Sequence, residues 1–176
     1  MAGDDPGLIP PGYGTLRQDA VTLSLRSDQL LIKVTPLDPA VIRALASDTW
    51  ERLQGLREGQ GPALVRRTGI AEPDLFLVSF FSYDQQVPYE PEDVHLLNRG
   101  LRFRPRGIQP VTPGWGRQRL AQEETQMAIY AYDSELDLDQ DLVAEYQDVR
   151  AGGWERILQE VQAERARILA RARSMP

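Results

Sequence analysis

Residues 75–82 read Leu75-Phe76-Leu77-Val78-Ser79-Phe80-Phe81-Ser82. On an extended chain Phe76, Val78 and Phe80 share one face, and Leu75, Leu77 and Phe81 share the other. A segment apolar on both faces is expected to be a central strand, covered on both sides.

Upstream, Asp19–Arg26 and Gln29–Pro36 form the clearest hairpin. Val21, Leu23 and Leu25 alternate with polar residues, and Leu30, Ile32 and Val34 alternate with Leu31, Lys33 and Thr35. Ser27-Asp28 supplies the turn. The period then changes. Asp38-Pro39 is a helix start, and Asp48 with Glu51 reads as a capping box. Gly59-Gln60-Gly61-Pro62 is expected to end that helix, with a short turn to Thr68 closed by Gly69. Residues 38–70 therefore read as a helical excursion between two strands.

Downstream, Val94–Leu97 and Leu101–Arg104 flank a loop Asn98-Arg99-Gly100 with glycine at a positive φ. Ile108–Gly116 reads as a loop or edge segment, and Met127–Tyr132 and Leu142–Tyr146 as strands. From Gly153 the apolar stripe Trp154, Ile157, Leu158, Val161, Ile168, Leu169 predicts a helix, its last turns at the surface where Glu164 and Arg165 interrupt the stripe.

Seven or so short strands with long-range pairing fit an antiparallel β-sandwich, immunoglobulin-like in plan, with a helical insertion and a C-terminal helix. The expected organisation is an extended Gly/Pro-rich leader (1–18), a sandwich domain (19–150) with its insertion at 38–70, and an amphipathic helix (151–176) packed on it. A chain of 176 residues fits one domain with a core needing no covalent staple. With 41% hydrophobic and 26% charged residues, disorder, collagen and coiled-coil rods are excluded. No apolar run approaches a membrane span.

The absence of cysteine excludes disulfides, zinc thiolates and thiol nucleophiles. Nineteen of the 20 basic residues are arginine, Lys33 being the exception. Met1-Ala2-Gly3-Asp4-Asp5-Pro6-Gly7 lacks the basic and apolar regions of a signal peptide. The leader nevertheless resembles stretches that follow a cleaved signal or tether a domain to a membrane. The expected location is periplasmic or extracellular in a bacterium, the alternative cytoplasmic.

Charge is laid out in blocks. Residues 94–122 carry six arginines (Arg99, Arg102, Arg104, Arg106, Arg117, Arg119) and no acid, and residues 123–148 carry nine acids and no base. Three readings follow from this segregation: pairing across neighbouring strands, assembly through opposed surfaces, and polyanion binding. The net charge of −6 and the lack of any nucleic-acid motif argue against nucleic acid.

His95 is the only histidine and cannot build a multi-histidine metal site. Asp133, Glu135, Asp137, Asp139 and Asp141 alternate at period 2, so on an extended strand their carboxylates would share a face and offer oxygens to Ca2+, whereas the other reading is a solvated acidic turn after a strand. An EF-hand is excluded, since the sixth loop position lacks glycine and the twelfth lacks glutamate. Trp115, between glycines, is read as a partner anchor, as a stacking platform for sugars with Tyr130 and Tyr132, or as packed against the sandwich edge. No phosphate loop, metalloprotease motif or nucleophile elbow occurs.

The expectation is a non-enzymatic accessory or assembly module without a cofactor, binding a protein partner or a second copy through Arg99, Arg102, Arg104, Arg106 and Trp115. It has no transmembrane segment, though peripheral association with a membrane complex is compatible with it. The alternative is a carbohydrate- or calcium-dependent binding module.

Overall fold

The computed structural model describes residues 8–174. In chain order the elements are β1 (Leu23–Arg26), β2 (Leu30–Pro36), α1 (Pro39–Ile42), α2 (Ser47–Thr68), β3 (Asp74–Ser82) and β4 (Val87–Pro88). Then come β5 (Val94–Asn98), β6 (Leu101–Phe103), β7 (Gly107–Pro110), β8 (Arg119–Leu120), β9 (Thr125–Tyr132), β10 (Leu142–Tyr146), β11 (Val149–Ala151) and α3 (Trp154–Ser174). Residues 1–7, the start of the expected leader, and residues 175 and 176 lie outside the described residues.

The strands form a five-stranded sheet in the order β1-β2-β3-β9-β7, a four-stranded sheet β11-β10-β5-β6, and a β4-β8 ribbon, antiparallel throughout. The chain is therefore mainly β, consistent with a β-sandwich with helical additions. β3 is central, as its sequence requires. Phe76, Val78 and Phe80 point into the core, in register with Tyr130, Ala128 and Gln126 of β9. Its other face is only partly covered: Leu77 is buried, whereas Ser79 and Phe81 keep some exposure.

Tyrosine hydroxyls link the two sheets. Tyr132 donates to the Val94 carbonyl at 2.8 Å and Tyr130 to the Pro91 carbonyl at 2.6 Å. Each phenol thus finds an acceptor, which burial of a polar tip requires.

Asp38 caps α1 by accepting from the Ala40 N–H at 2.8 Å. The capping box expected at Asp48 and Glu51 does not form. α2 begins at Ser47 after Ala46, and the Asp48 side chain instead accepts from the adjacent Thr49 N–H. Nor does the Gly59–Pro62 segment end the helix. Pro62 removes one backbone donor without breaking the helix, and the buried Gly61 faces Leu75 of β3. Gly69, at φ 73°, is the true stop and returns its N–H to the Val65 carbonyl. The β5–β6 turn is tighter than expected. Asn98 pairs with Leu101, leaving Arg99 (φ 53°) and Gly100 (φ 76°) as a two-residue turn.

The last helix also departs from expectation. Its buried positions are Trp154, Val161, Glu164 and Ile168, so the stripe passes through a glutamate rather than ending at it. Arg165 donates to the Ala40 carbonyl and Arg171 to the Tyr13 carbonyl. Residues 9–16 are likewise drawn onto the domain rather than standing off it. Ile9 and Leu16 are buried, and Gly14 and Leu16 bridge in parallel to Ala46 and Leu45.

Candidate functional site

The two charge blocks meet along the outer face of the four-stranded sheet and its margin. His95 lies opposite Glu145, Glu145 opposite Arg150, and Leu97 opposite Arg102. Strand alternation turns these side chains away from the core, whose inward residues are Val94, Leu96, Phe103 and Ala144. Arg102 donates to the Glu145 carboxylate, and Arg150 Nε donates to the same group at 2.7 Å. The bond from Arg102 is the main cause that holds Glu145 below the usual carboxylate range, with Arg150 assisting.

Arg102 also lies 3.2 Å from His95 Nδ1. Partial burial, then the nearby Arg102 and Arg104 guanidiniums, push the His95 pKa below its ordinary value, outweighing the opposite pull of Asp93 and Glu145. Arg106 pairs with Asp133 at 2.9 Å, Arg117 with Glu124 at 3.4 Å, and Arg99 donates to the Glu135 carbonyl. Much of the segregation seen in the sequence is thus resolved by pairing within the chain. Exposed pairs of this kind contribute about 0–1 kcal/mol each, so they leave the guanidiniums available for other acceptors.

Arg104 differs from these. It is exposed and has no carboxylate partner among the described residues. It lines a recess of about 560 Å³ together with Arg67, Arg106, His95, Glu92 and Asp93. Arg67 reaches it from the end of α2, held by the Ile108 carbonyl and by the Gln109 side chain. The recess joins three elements distant in sequence and offers N–H donors suited to a carboxylate.

Trp115 is not part of this surface. It is 6% exposed and packs edge-on against Phe80 and Tyr89, with Tyr130 beside it. The expected partner anchor is therefore a core residue, because the short helical turn at Trp115–Arg117 folds the indole inward under β9. Tyr130 and Tyr132 are buried with it, so the three rings present no stacking platform.

The acidic run is not an extended strand either. Residues 133–141 make turns between β9 and β10, organised by the buried Asn98. Its amide donates to the carbonyls of Asp137 and Asp141 at 2.9 Å each, and its carbonyl accepts from the Asp137 N–H. Asp139 N–H bonds to the Asp137 side chain, and Asp133 is engaged by Arg106. A turn disperses carboxylates that a strand would align, and among the described residues no three acidic or histidine side chains are placed to hold a metal ion.

Sequence reading missed three groups. Asn98 carries no signal beyond preceding Arg-Gly. Glu164 was expected at the surface because a charge normally breaks a stripe. Asp74, at the start of β3, is raised to about 6, chiefly by burial, with the Asp38 charge adding to it and a hydrogen bond from the Leu136 N–H opposing it. No family model, curated protein or solved structure matches the chain.

Proposed function

We propose that the protein is a non-enzymatic interaction module that receives an acidic segment of a protein partner on its arginine-bearing sheet face. The observation that carries this reading is the recess that an unpaired, exposed Arg104 guanidinium lines together with Arg67 and Arg106. Asp133 balances Arg106, so the positive part of the recess is Arg67 and the unpaired Arg104, on a chain that carries −6 overall. A local positive site on an acidic protein favours a short acidic segment over an extended polyphosphate, which the rest of the surface would repel. Arg102, 3.2 Å from His95, adjoins the recess and extends the contact, and Arg99 lies farther along the same hairpin, at its turn. In this reading the protein is an accessory or assembly subunit acting outside the cytoplasm. Among the described residues no helix is long and apolar enough to cross a membrane.

The test uses a labelled peptide copying residues 133–141, the chain's own acidic run, with light scattering on a sizing column at about 20 and about 500 mM salt. The expected result is saturable peptide binding that weakens about tenfold or more in Arg104→Glu and at high salt. An oligomer at low salt that dissociates at high salt identifies the acidic partner as a second copy. Peptide binding that is absent, or unchanged by Arg104→Glu, rejects the reading.

A further inference from the structure

We propose that the cleft between α2 and the start of β3 is a separate binding site for a small aliphatic cation bearing ammonium or guanidinium groups. The cleft has a volume of about 790 Å³, within the range of small-molecule sites. One wall is a single stripe of α2, with Arg57, Gly61, Pro62 and Val65 at helical spacing, and the floor includes Leu75. These aliphatic groups suit a hydrocarbon body.

The charged groups around it are Asp38 before α1, Arg57, Glu58 and Arg66 on α2, and Glu72 and Asp74 before and within β3. Four carboxylates against two guanidiniums leave a net charge of −2. Asp38 and Asp74 are the half-buried acids, whereas Glu58 and Glu72 stand at the exposed rim.

Each of the two half-buried carboxylates uses one oxygen internally. Asp38 Oδ1 accepts from the Ala40 N–H at 2.8 Å, and Asp74 Oδ2 accepts from the Leu136 N–H at 3.2 Å. Asp38 Oδ2 and Asp74 Oδ1 have no protein partner among the described residues, and neither is sealed from solvent, since no buried side-chain oxygen or nitrogen lacks a partner there. Among the described residues no arginine or lysine forms an ion pair with either acid. A further acceptor follows from Pro62, which has no N–H to give the Glu58 carbonyl one turn earlier. Two carboxylates repelling each other beside an aliphatic wall are relieved by a cationic group held between them. No three of these acids converge on one point among the described residues, which matches an extended organic dication better than a metal ion.

Isothermal titration of the full chain with agmatine, a four-carbon chain ending in an amine and a guanidinium, tests this at pH 7.5 and low salt. The expected result is saturable binding, weakened at least about tenfold in Asp74→Asn and in Asp38→Asn, with far-UV circular dichroism showing both variants folded. Butane-1,4-diol, the neutral counterpart, is expected to give no saturable heat. Lowering the pH to 5 should weaken binding, because Asp74 then carries a proton. The proposal is overturned if agmatine gives no saturable heat up to about 10 mM. It is equally overturned if succinate binds in its place, or if both folded variants bind agmatine as the wild type does.

Discussion

The Glu164 carboxylate accepts hydrogen bonds from both the backbone N–H and the hydroxyl of Thr15, a residue 149 positions earlier in the chain. Glu164 is fully buried, and Arg167 and Arg171 each approach it at 3.1 Å. One charged side chain thus fastens the last helix to the segment that precedes β1. Burial alone would raise its pKa, but the bonds from Thr15 and Arg167 prevail and hold it below the ordinary 4.5.

Replacing Glu164 with Gln is therefore expected to destabilise the fold by about 1–3 kcal/mol, the scale of disturbing a buried, charge-assisted hydrogen bond. The depressed folded pKa fixes the sign of the pH effect. The stabilisation is complete above the unfolded value near 4.5 and is lost as pH falls through the folded pKa. Urea melts at pH 7 and pH 3 should show a wide gap between wild type and variant at the first and a narrow one at the second. Equal gaps would refute this account of Glu164.

Gly14 sits where a Cβ would come within 2.3 Å of the Ala44 carbonyl oxygen and 2.6 Å of that of Leu45. These are backbone atoms and cannot swing aside. Gly14→Ala should force residues 14–16 off the 44–46 segment between α1 and α2 and lower stability by about 1–3 kcal/mol, the scale of overpacking. Thermal melts measure it; a variant as stable as wild type would show that the segment repacks freely.

Trp115 belongs to the core, so Trp115→Ala should cost about 3–5 kcal/mol through the cavity it leaves. Binding of the acidic peptide by the fraction that stays folded should be unchanged. If affinity falls in the folded fraction while the melting temperature holds, Trp115 is a contact residue after all.

As the only histidine, His95 gives one imidazole signal in an NMR titration. Its midpoint should lie below 6.5, and Arg104→Gln should move it upward by removing a nearby positive charge. A carboxylate seated in the recess should shift it the same way. A midpoint that ignores Arg104 would mean the two side chains are not electrostatically coupled.

Asp74 has the opposite sign from Glu164. Its folded pKa of about 6 exceeds the ordinary 3.8, so the stability it contributes is complete below 3.8 and is lost as pH rises through 6. Asp74→Asn should be more stable than wild type at pH 7.5, by about 1 kcal/mol once solvent screening is allowed for, with no such advantage near pH 4. Parallel melting curves across that range would refute it.

The strands were legible because burial leaves a period in the sequence. The two-faced run at Leu75–Ser82 fixed the sheet's centre, and the alternation on either side of Ser27-Asp28 fixed the first hairpin. Gly61 and Pro62 misled because both residue types signal a helix stop, whereas α2 runs through them to the left-handed Gly69. Trp115 misled for a related reason, since flanking glycines speak of backbone freedom and not of where the side chain goes. The Arg102–Glu145 and Arg106–Asp133 pairs were visible only as opposed blocks of charge. Which arginine finds which acid depends on strand register, and Arg104 stands apart only once those pairs are known. Asp38 was legible as a helix cap and Asp74 not at all, and that two acids 36 positions apart share one cleft follows only from the fold.

The sheet order β1-β2-β3-β9-β7 also has a meaning for the chain as it is made. Once Ser82 has left the ribosome, β1, β2 and β3 can zip together, but the strand that completes β3 begins only at Thr125. At about 5–20 residues per second, those roughly 40 residues take a few seconds. During that interval the most apolar strand of the protein is an open edge, with phenylalanines and unpaired backbone groups ready to join another nascent chain. The segment that anchors the finished sheet is the one a ribosome-bound chaperone would have most reason to cover.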